Sequence, residues 1–222
     1  MATKRPVRRR APLTRERVLQ SAVKLADERG IDAVSMRKLG QVLRVEAMSL
    51  YKYVADKDDL LDGMADLVTA GIEVPRRGLD WKTALRGSAI SVHEALQRHP
   101  WAAAVFESRL SPGPARLRYL DAVIGVLRDA GFSLPMVARA FMALDSHTYG
   151  FALQEASWPF EAADSQEVAA TMAASPAARE FPNLLAMAEV ASSEAGVMVP
   201  DFEFGLDLIL DGLDRLAGSE RG

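Results

Sequence analysis

Ser35-Met-Arg-Lys-Leu-Gly-Gln-Val-Leu-Arg-Val-Glu-Ala-Met-Ser-Leu-Tyr-Lys-Tyr-Val-Ala-Asp-Lys57 reads as two short helices joined by a tight turn. Ser35 is a good N-cap, and Met36, Leu39 and Leu43 recur behind it at helical spacing. A break falls at Arg44-Val45, and the second helix carries Leu50 and Val54 on its buried side. Asp56 caps a third helix, which runs inward along Leu60, Leu61, Met64, Leu67 and Val68.

The cations of this stretch sit where packing alone would not put them. Arg37 and Lys38 occupy the first turn after Ser35, and Lys57 directly follows Asp56. A helix N-terminus carries a partial positive charge, so a cation there is unfavourable by roughly 0.3–1 kcal/mol. A phosphate reverses the sign, because free N–H groups, dipole and cation then all face an anion. The alternative is that exposed first turns simply tolerate such residues. The outer positions of the second helix are Ala47, Met48, Ser49, Lys52 and Tyr53, with Tyr51 nearby. Small side chains admit close approach to base edges, methyl-bearing ones meet a thymine methyl, and tyrosine and lysine reach phosphates. An ordinary surface turn whose tyrosines cover the core would carry the same residues, and Tyr51 can do both.

From Thr14 to Val68 the chain resembles the helix-turn-helix domain of the TetR family of transcriptional repressors. The most telling run is Leu50-Tyr51-Lys52-Tyr53-Val54-x-x-Lys57-x-x-Leu60-Leu61. The resemblance implies a homodimer that grips a palindromic operator and is released when a small molecule enters the C-terminal core. Ser35, Arg37, Ala47, Met48, Ser49, Tyr51, Lys52, Tyr53 and Lys57 would then face DNA, with Arg37 at a base-reading position and Lys57 at a phosphate-binding one, and Lys38 joins them as the second cation of the first turn. Arg44 departs from the family, which usually has Gly in the turn. A left-handed backbone there would cost an arginine on the order of 1–2 kcal/mol, and a slightly different turn is expected.

With 222 residues, 49% of them hydrophobic, the chain is long enough for a sizeable core in one domain or two. Zero cysteines exclude disulfides, thiolate metal sites and cysteine nucleophiles, and fit a reducing cytoplasm. No apolar run approaches a membrane span, and the Arg-rich N-terminus has no apolar segment behind it, so a cytoplasmic protein is expected. The net charge of −3 hides an asymmetry. Residues 1–60 hold 14 Lys+Arg against 8 Asp+Glu, and the remainder holds 13 against 22. A basic DNA-facing end and an acidic body follow.

Along the chain, residues 1–13 carry Lys4, Arg5, Arg8, Arg9 and Arg10 without helical pattern and are expected to be a disordered basic arm. Such an arm can follow the minor groove or be an inert leader. Residues 14–70 form the expected DNA-binding domain, and Gly71, Pro75 and Gly78 separate it from a helical core over 79–218. Core helices are expected at Trp81–His99, Trp101–Arg109, Ala115–Ala130, Leu134–Ser157, Asn183–Glu194 and from Asp201 onward. Leu134–Ser157 is apolar nearly all round and should be buried on most sides. Residues 159–181, interrupted by Pro159 and Pro176, read as a mobile loop, with room in it for a helical turn. The fold class is all-α.

The resemblance continues into the second half at Gly131-Phe-Ser-Leu134, Thr148-x-Gly150 and Phe204-Gly-Leu-Asp-Leu-Ile-Leu-x-Gly-Leu213, which are similar to the tetracycline-repressor subgroup. It implies that Leu134–Ser157 and the last helix build a four-helix dimer interface. Its residues would be Phe141, Leu144, Phe202, Leu206, Ile209, Leu213 and Leu216, although the 202–216 seam, read by itself, could equally pack inside one chain. For an effector the candidates are Trp101, Phe106, Tyr119, Met142, His147, Phe151, Gln154 and Trp158, each of which could instead be core packing. The subgroup's namesake binds a drug–magnesium chelate through histidines. Trp101–Leu110 holds no histidine, so an organic, partly aromatic effector without metal is expected, and no cofactor. The core would act by shifting the helix that begins at Lys57.

Catalysis is the rival class. His93-Glu-Ala-Leu-Gln97 opens like a zinc-protease motif but has Gln97 in place of the second histidine, and no phosphate-cradling glycine loop or Gly-x-Ser-x-Gly occurs. The remaining alternatives are a constitutive DNA binder and an effector-dependent activator, which share every DNA contact above.

Overall fold

The computed structural model describes residues 12–109, 112–157, 162–193 and 200–220, and all regular structure among them is helical. The expected arm at 1–13 lies outside these residues apart from Pro12 and Leu13. Eleven α-helices follow in order among the described residues. They are α1 (Arg15–Arg29), α2 (Met36–Leu43), α3 (Ala47–Leu50), α4 (Lys57–Ala70), α5 (Trp81–Arg98) and α6 (Ala102–Ser108). After these come α7 (Pro114–Asp129), α8 (Leu134–Ser157), α9 (Ala162–Ala174), α10 (Pro182–Ser193) and α11 (Phe202–Glu220). Packing divides the chain into two compact units, residues 1–141 and 142–222, with α8 beginning in the first and continuing in the second.

In the first unit the starts of the helices follow from their caps. Thr14, Ser35 and Asp56 accept backbone N–H bonds from Arg17, Lys38 and Asp59. Helix α1 buries Val18, Leu19, Ala22, Val23, Leu25 and Ala26. Leu39, Leu50, Val54, Leu60 and Met64 are buried along α2–α4. Further along, Leu85, Val92, Leu96, Phe106 and Leu127 are buried on α5–α7, and Trp81 meets Phe132 edge-on at 5.1 Å.

Helix α4 is also joined to α6 and α7 by polar contacts. Its Asp58, Asp62 and Asp66 recur every fourth residue, so they share one face. Arg109, just past α6, donates to Asp62 at 2.5 Å and to Asp58 at 2.8 Å. Asp66 accepts the N–H of Ala115 at 2.7 Å and of Arg116 at 3.2 Å, placing a carboxylate at the N-terminus of α7.

In the second unit, residues 159–181 are corrected from a loop: α9 and a 3-10 turn over Pro176–Glu180 occupy most of them. Alanine has the highest helix propensity, and α9 pairs with α10 through small residues, Ala169, Ala188 and Ala191 being buried. Gln166 ties the pair further by donating to the Ser192 carbonyl at 2.8 Å. The expectation for the last seam is corrected as well. Helix α11 buries Phe202, Leu206, Leu210, Leu213 and Ala217 within the single chain, while Phe204 and Leu208 are exposed. Of the expected interface residues, Leu144, Phe202, Leu206 and Leu213 are thus interior, Phe141 and Ile209 are half-buried, and Leu216 is exposed. Nor is α8 buried on most sides: Leu144, Thr148 and Ala152 are covered, but Met142 and Leu153 face outward.

Candidate nucleic-acid interface and effector core

The helix-turn-helix is built on a closely approached turn. Arg44 ends α2 in the left-handed conformation, φ 57° and ψ 47°, and its N–H closes onto Gln41 and Gly40. The turn is therefore the left-handed kind, not a different one, and an arginine carries the strain of it. A side chain at Gly40 would put its Cβ 2.9 Å from the Val45 carbonyl oxygen and 3.2 Å from the Ala47 nitrogen, so α2 and α3 touch backbone to backbone. Helix α3 is a single turn, shorter than expected. The Tyr53 and Val54 amides both reach the Leu50 carbonyl, which carries Val54 into the core past the helix end.

Arg15 on α1 fixes the junction between α3 and α4. Its guanidinium grips Asp59 at 2.6 and 2.9 Å and donates to the Tyr53 carbonyl at 2.7 Å. Asp59 also accepts the Ala55 N–H at 2.7 Å. The bonds from Arg15 hold the Asp59 carboxyl below its ordinary range, and Asp59 in turn raises the Arg15 guanidinium. Asp58 and Asp59 stand in the first turn of α4 beside Lys57, so the electrostatic mismatch inferred at two helix starts holds for α2, whose first turn has no acid, and not for α4.

Among the residues expected to face DNA, Ser35, Arg37, Met48, Tyr51, Lys52 and Lys57 are exposed, Met48 by 77%. Lys38, Ala47, Ser49 and Tyr53 are half-buried. Two hydroxyls already serve the fold: Ser35 Oγ accepts from Lys38 N, and Ser49 Oγ donates to the Glu46 carbonyl at 2.6 Å. Ser49 is left as an acceptor, which suits a base amino group rather than a phosphate. Arg37, Lys38, Arg44, Lys52 and Lys57 form no ion pair among the described residues, whereas Arg15 and Arg109 are held by carboxylates. Arg37 and Ala47 line one hollow of about 490 Å³ together with Gln41, Arg44 and Glu46. Neither Gln41 nor Arg44 was among the residues expected to face DNA.

The effector candidates fall in both units. In the first, Trp101 is buried with its Nε1–H donated to Asp27 at 2.7 Å, and His99 Nδ1 meets the same oxygen at 2.8 Å. Phe106 lies under the Arg116 guanidinium at 5.0 Å, and Ser88 Oγ approaches the Tyr119 hydroxyl at 3.4 Å. In the second unit, His147 stacks on Phe202 at 5.0 Å, stands edge-on to Phe151, and donates from Nε2 to the Phe202 carbonyl at 3.0 Å. Gly205 makes this possible, since a Cβ there would lie 2.5 Å from the imidazole. His147 is thus hydrogen-bonded and half-buried. Met142 and Gln154 are exposed, and Trp158 lies outside the described residues. The pairing that sequence reasoning missed is Arg109 with α4, although the four-residue spacing of Asp58, Asp62 and Asp66 was its signal.

Residues 18–64 match the family described as bacterial regulatory proteins, tetR family, and residues 74–217 match the tetracyclin repressor-like C-terminal domain. The chain is 33% identical to the transcriptional repressor DrrR1 of Streptomyces coeruleorubidus, over 99% of this chain and 84% of that one. It is also 33% identical to the class A tetracycline repressor of transposon 1721 from Escherichia coli, over 89% of each. Among solved structures, ActR of Streptomyces coelicolor in complex with actinorhodin superposes with a TM-score of 0.75 at 29% identity, covering 94% of this chain and all of that one. No helix among the described residues is long and apolar enough to cross a membrane.

Proposed function

Because this chain belongs to the TetR family of bacterial transcriptional regulators, we propose that it is a cytoplasmic, ligand-responsive repressor without catalytic activity. It binds a palindromic operator as a homodimer and leaves it when a small organic effector fills the core. The observation that carries this reading is the set of five cations on α2–α4 and their turn, which lack a carboxylate partner among the described residues. A surface cation without a partner inside the protein is available to a phosphate, and the Ser35-capped start of α2 adds free N–H groups to it.

Residues 14–70 read the duplex and 79–218 sense the effector in this scheme, with 1–13 as a basic arm. One recognition helix reads few base pairs, so a second copy about 34–36 Å away is needed for the next major groove. Support for association comes from the exposed apolar residues Met142 and Leu153 of α8 and Phe204, Leu208 and Leu216 of α11, which a second copy would cover. Helix α4 is the link. Its first residue, Lys57, faces the phosphates, while Asp58, Asp62 and Asp66 answer to Arg109 and to the start of α7. A shift of α6 or α7 on effector binding would pull α4 and change the separation of the two recognition helices, a coupling of typically 1–3 kcal/mol.

The test is retardation of a duplex selected from a random pool. Wild-type protein shifts it, and the Arg37→Glu, Lys57→Glu double variant, with an unchanged circular dichroism spectrum, does not. Undiminished binding by the double variant would sink the regulator reading. Actinorhodin is the first compound to try for release, since a related protein of the same fold holds it. Equal duplex affinity with and without every compound tried would leave a constitutive binder.

A further inference from the structure

We propose that Arg44 is a phosphate-binding residue of this chain, placed beside Arg37 by the turn between α2 and α3. The inference rests on the DNA-binding reading above and adds a contact to it. Among the described residues Arg44 is the one non-glycine residue with positive φ. Strain of this kind persists where the surroundings hold it and function uses it. Here the surroundings do hold it, because Gly40 leaves no slack between α2 and the backbone of Val45 and Ala47.

Nothing within the fold accounts for an arginine in that position. The Arg44 side chain is exposed and makes no hydrogen bond or ion pair among the described residues. What the position does offer is place. Arg44 and Arg37 border the same hollow, and Ala47, the first residue of α3, forms part of its wall. A duplex that accepts α3 in its major groove therefore has its backbone next to both guanidiniums. Glu46 lines the hollow too, and a carboxylate there would meet the same backbone unfavourably. Arg44 offsets that charge while reaching a phosphate, where its planar fork can donate two hydrogen bonds at once.

A phosphate contact has a signature that structural roles lack. It weakens binding to every sequence alike and reduces the slope of log affinity against log salt by about one for each Arg44 lost, hence by about two in the homodimer. The test uses Arg44→Asn and Arg44→Gly, both of which accept the left-handed backbone, together with Arg44→Lys. Affinity is measured by fluorescence anisotropy on the pool-selected duplex and on an unrelated duplex of equal length, across a salt series. Asn and Gly should raise the urea midpoint, by relieving strain, and yet lower affinity for both duplexes by roughly tenfold. Lys should keep most of the slope.

Unchanged affinity and slope in the more stable variants would overturn the proposal while leaving the DNA-binding reading intact. A loss confined to the selected duplex, with the slope preserved, would overturn it in favour of a base contact. Arg44→Asn should cause the same loss with Glu or Gln at position 46. A loss that disappears in the Glu46→Gln background would make Arg44 only a neutraliser of that carboxylate. Failure of wild-type protein to bind any duplex would instead remove the reading on which the inference rests.

Discussion

Arg15 sits outside the DNA-reading helices and still governs them. By gripping Asp59 and the Tyr53 carbonyl it sets where α3 ends and α4 begins, and so the relative placement of Tyr51, Lys52 and Lys57. The pair gives a pH dependence with a definite sign. Asp59 is held below its ordinary carboxylate range by Arg15, so its stabilisation is present above the unfolded value of about 3.9 and is lost as pH falls through the lower folded value. Wild-type urea midpoints should therefore fall more steeply between about pH 5 and about pH 2 than those of Asp59→Asn, measured by circular dichroism. Parallel curves would show that the pair adds nothing to the fold. Individual roles of this sort are hard to read from sequence: Thr14, Ser35 and Asp56 announce themselves as caps, but Arg15 could have met any acid within reach, and only the tertiary structure selects one 44 residues away.

At the scale of elements, helices with one apolar stripe were legible and those with several or none were not. Helix α1 shows a single stripe and buries it. Helix α11 holds Leu206, Leu208, Ile209 and Leu210 in close succession, so a three-and-four spacing can be drawn through more than one face, and the register 202–206–210–213–217 is the buried one. Helix α9 has the opposite problem. Its contacts rest on alanine, which leaves no stripe to detect, and the prolines beside it suggested a loop. The corrected face of α11 separates folding from association. Leu206→Ala should destabilise the chain by about 2–5 kcal/mol in urea unfolding, as a buried leucine truncation does. Leu208→Glu should leave the unfolding of the single chain within about 0.5 kcal/mol but shift sedimentation toward monomer and reduce duplex affinity. The Arg109 link between α6 and α4 is the other element-level joint. Arg109→Met should lower stability by about 1–3 kcal/mol and raise the effector concentration needed for release more than it alters duplex affinity.

For the molecule as a whole, the functional division proposed near residues 70–79 does not coincide with the packing division at 141 and 142. Helices α1–α4 share one compact unit with α5–α7, so under the proposed scheme a displacement of α5–α7 would reach them through packed contacts rather than through a free linker. Charge is partitioned differently again, with its positive surplus confined to the first 60 residues. Binding should consequently weaken steeply with salt, by about 10³–10⁵ between roughly 50 and 200 mM if the dimer makes about 6–10 phosphate contacts. An affinity flat across that range would contradict the proposed phosphate contacts, those of Arg37 and Lys57 among them.

The Asp27 oxygen shared by His99 and Trp101 gives the protein an optical reporter of its own. Indole emission responds to a charge held at the ring nitrogen, and Trp101 is buried where the end of α1 meets the corner before α6. With Trp81 and Trp158 replaced by phenylalanine, the remaining fluorophore should change colour or intensity when an inducing compound separates that corner from α1, and Asp27→Asn should change the spectrum even without one. The spectrum would then follow the opening of this joint directly in solution, without a label and without DNA.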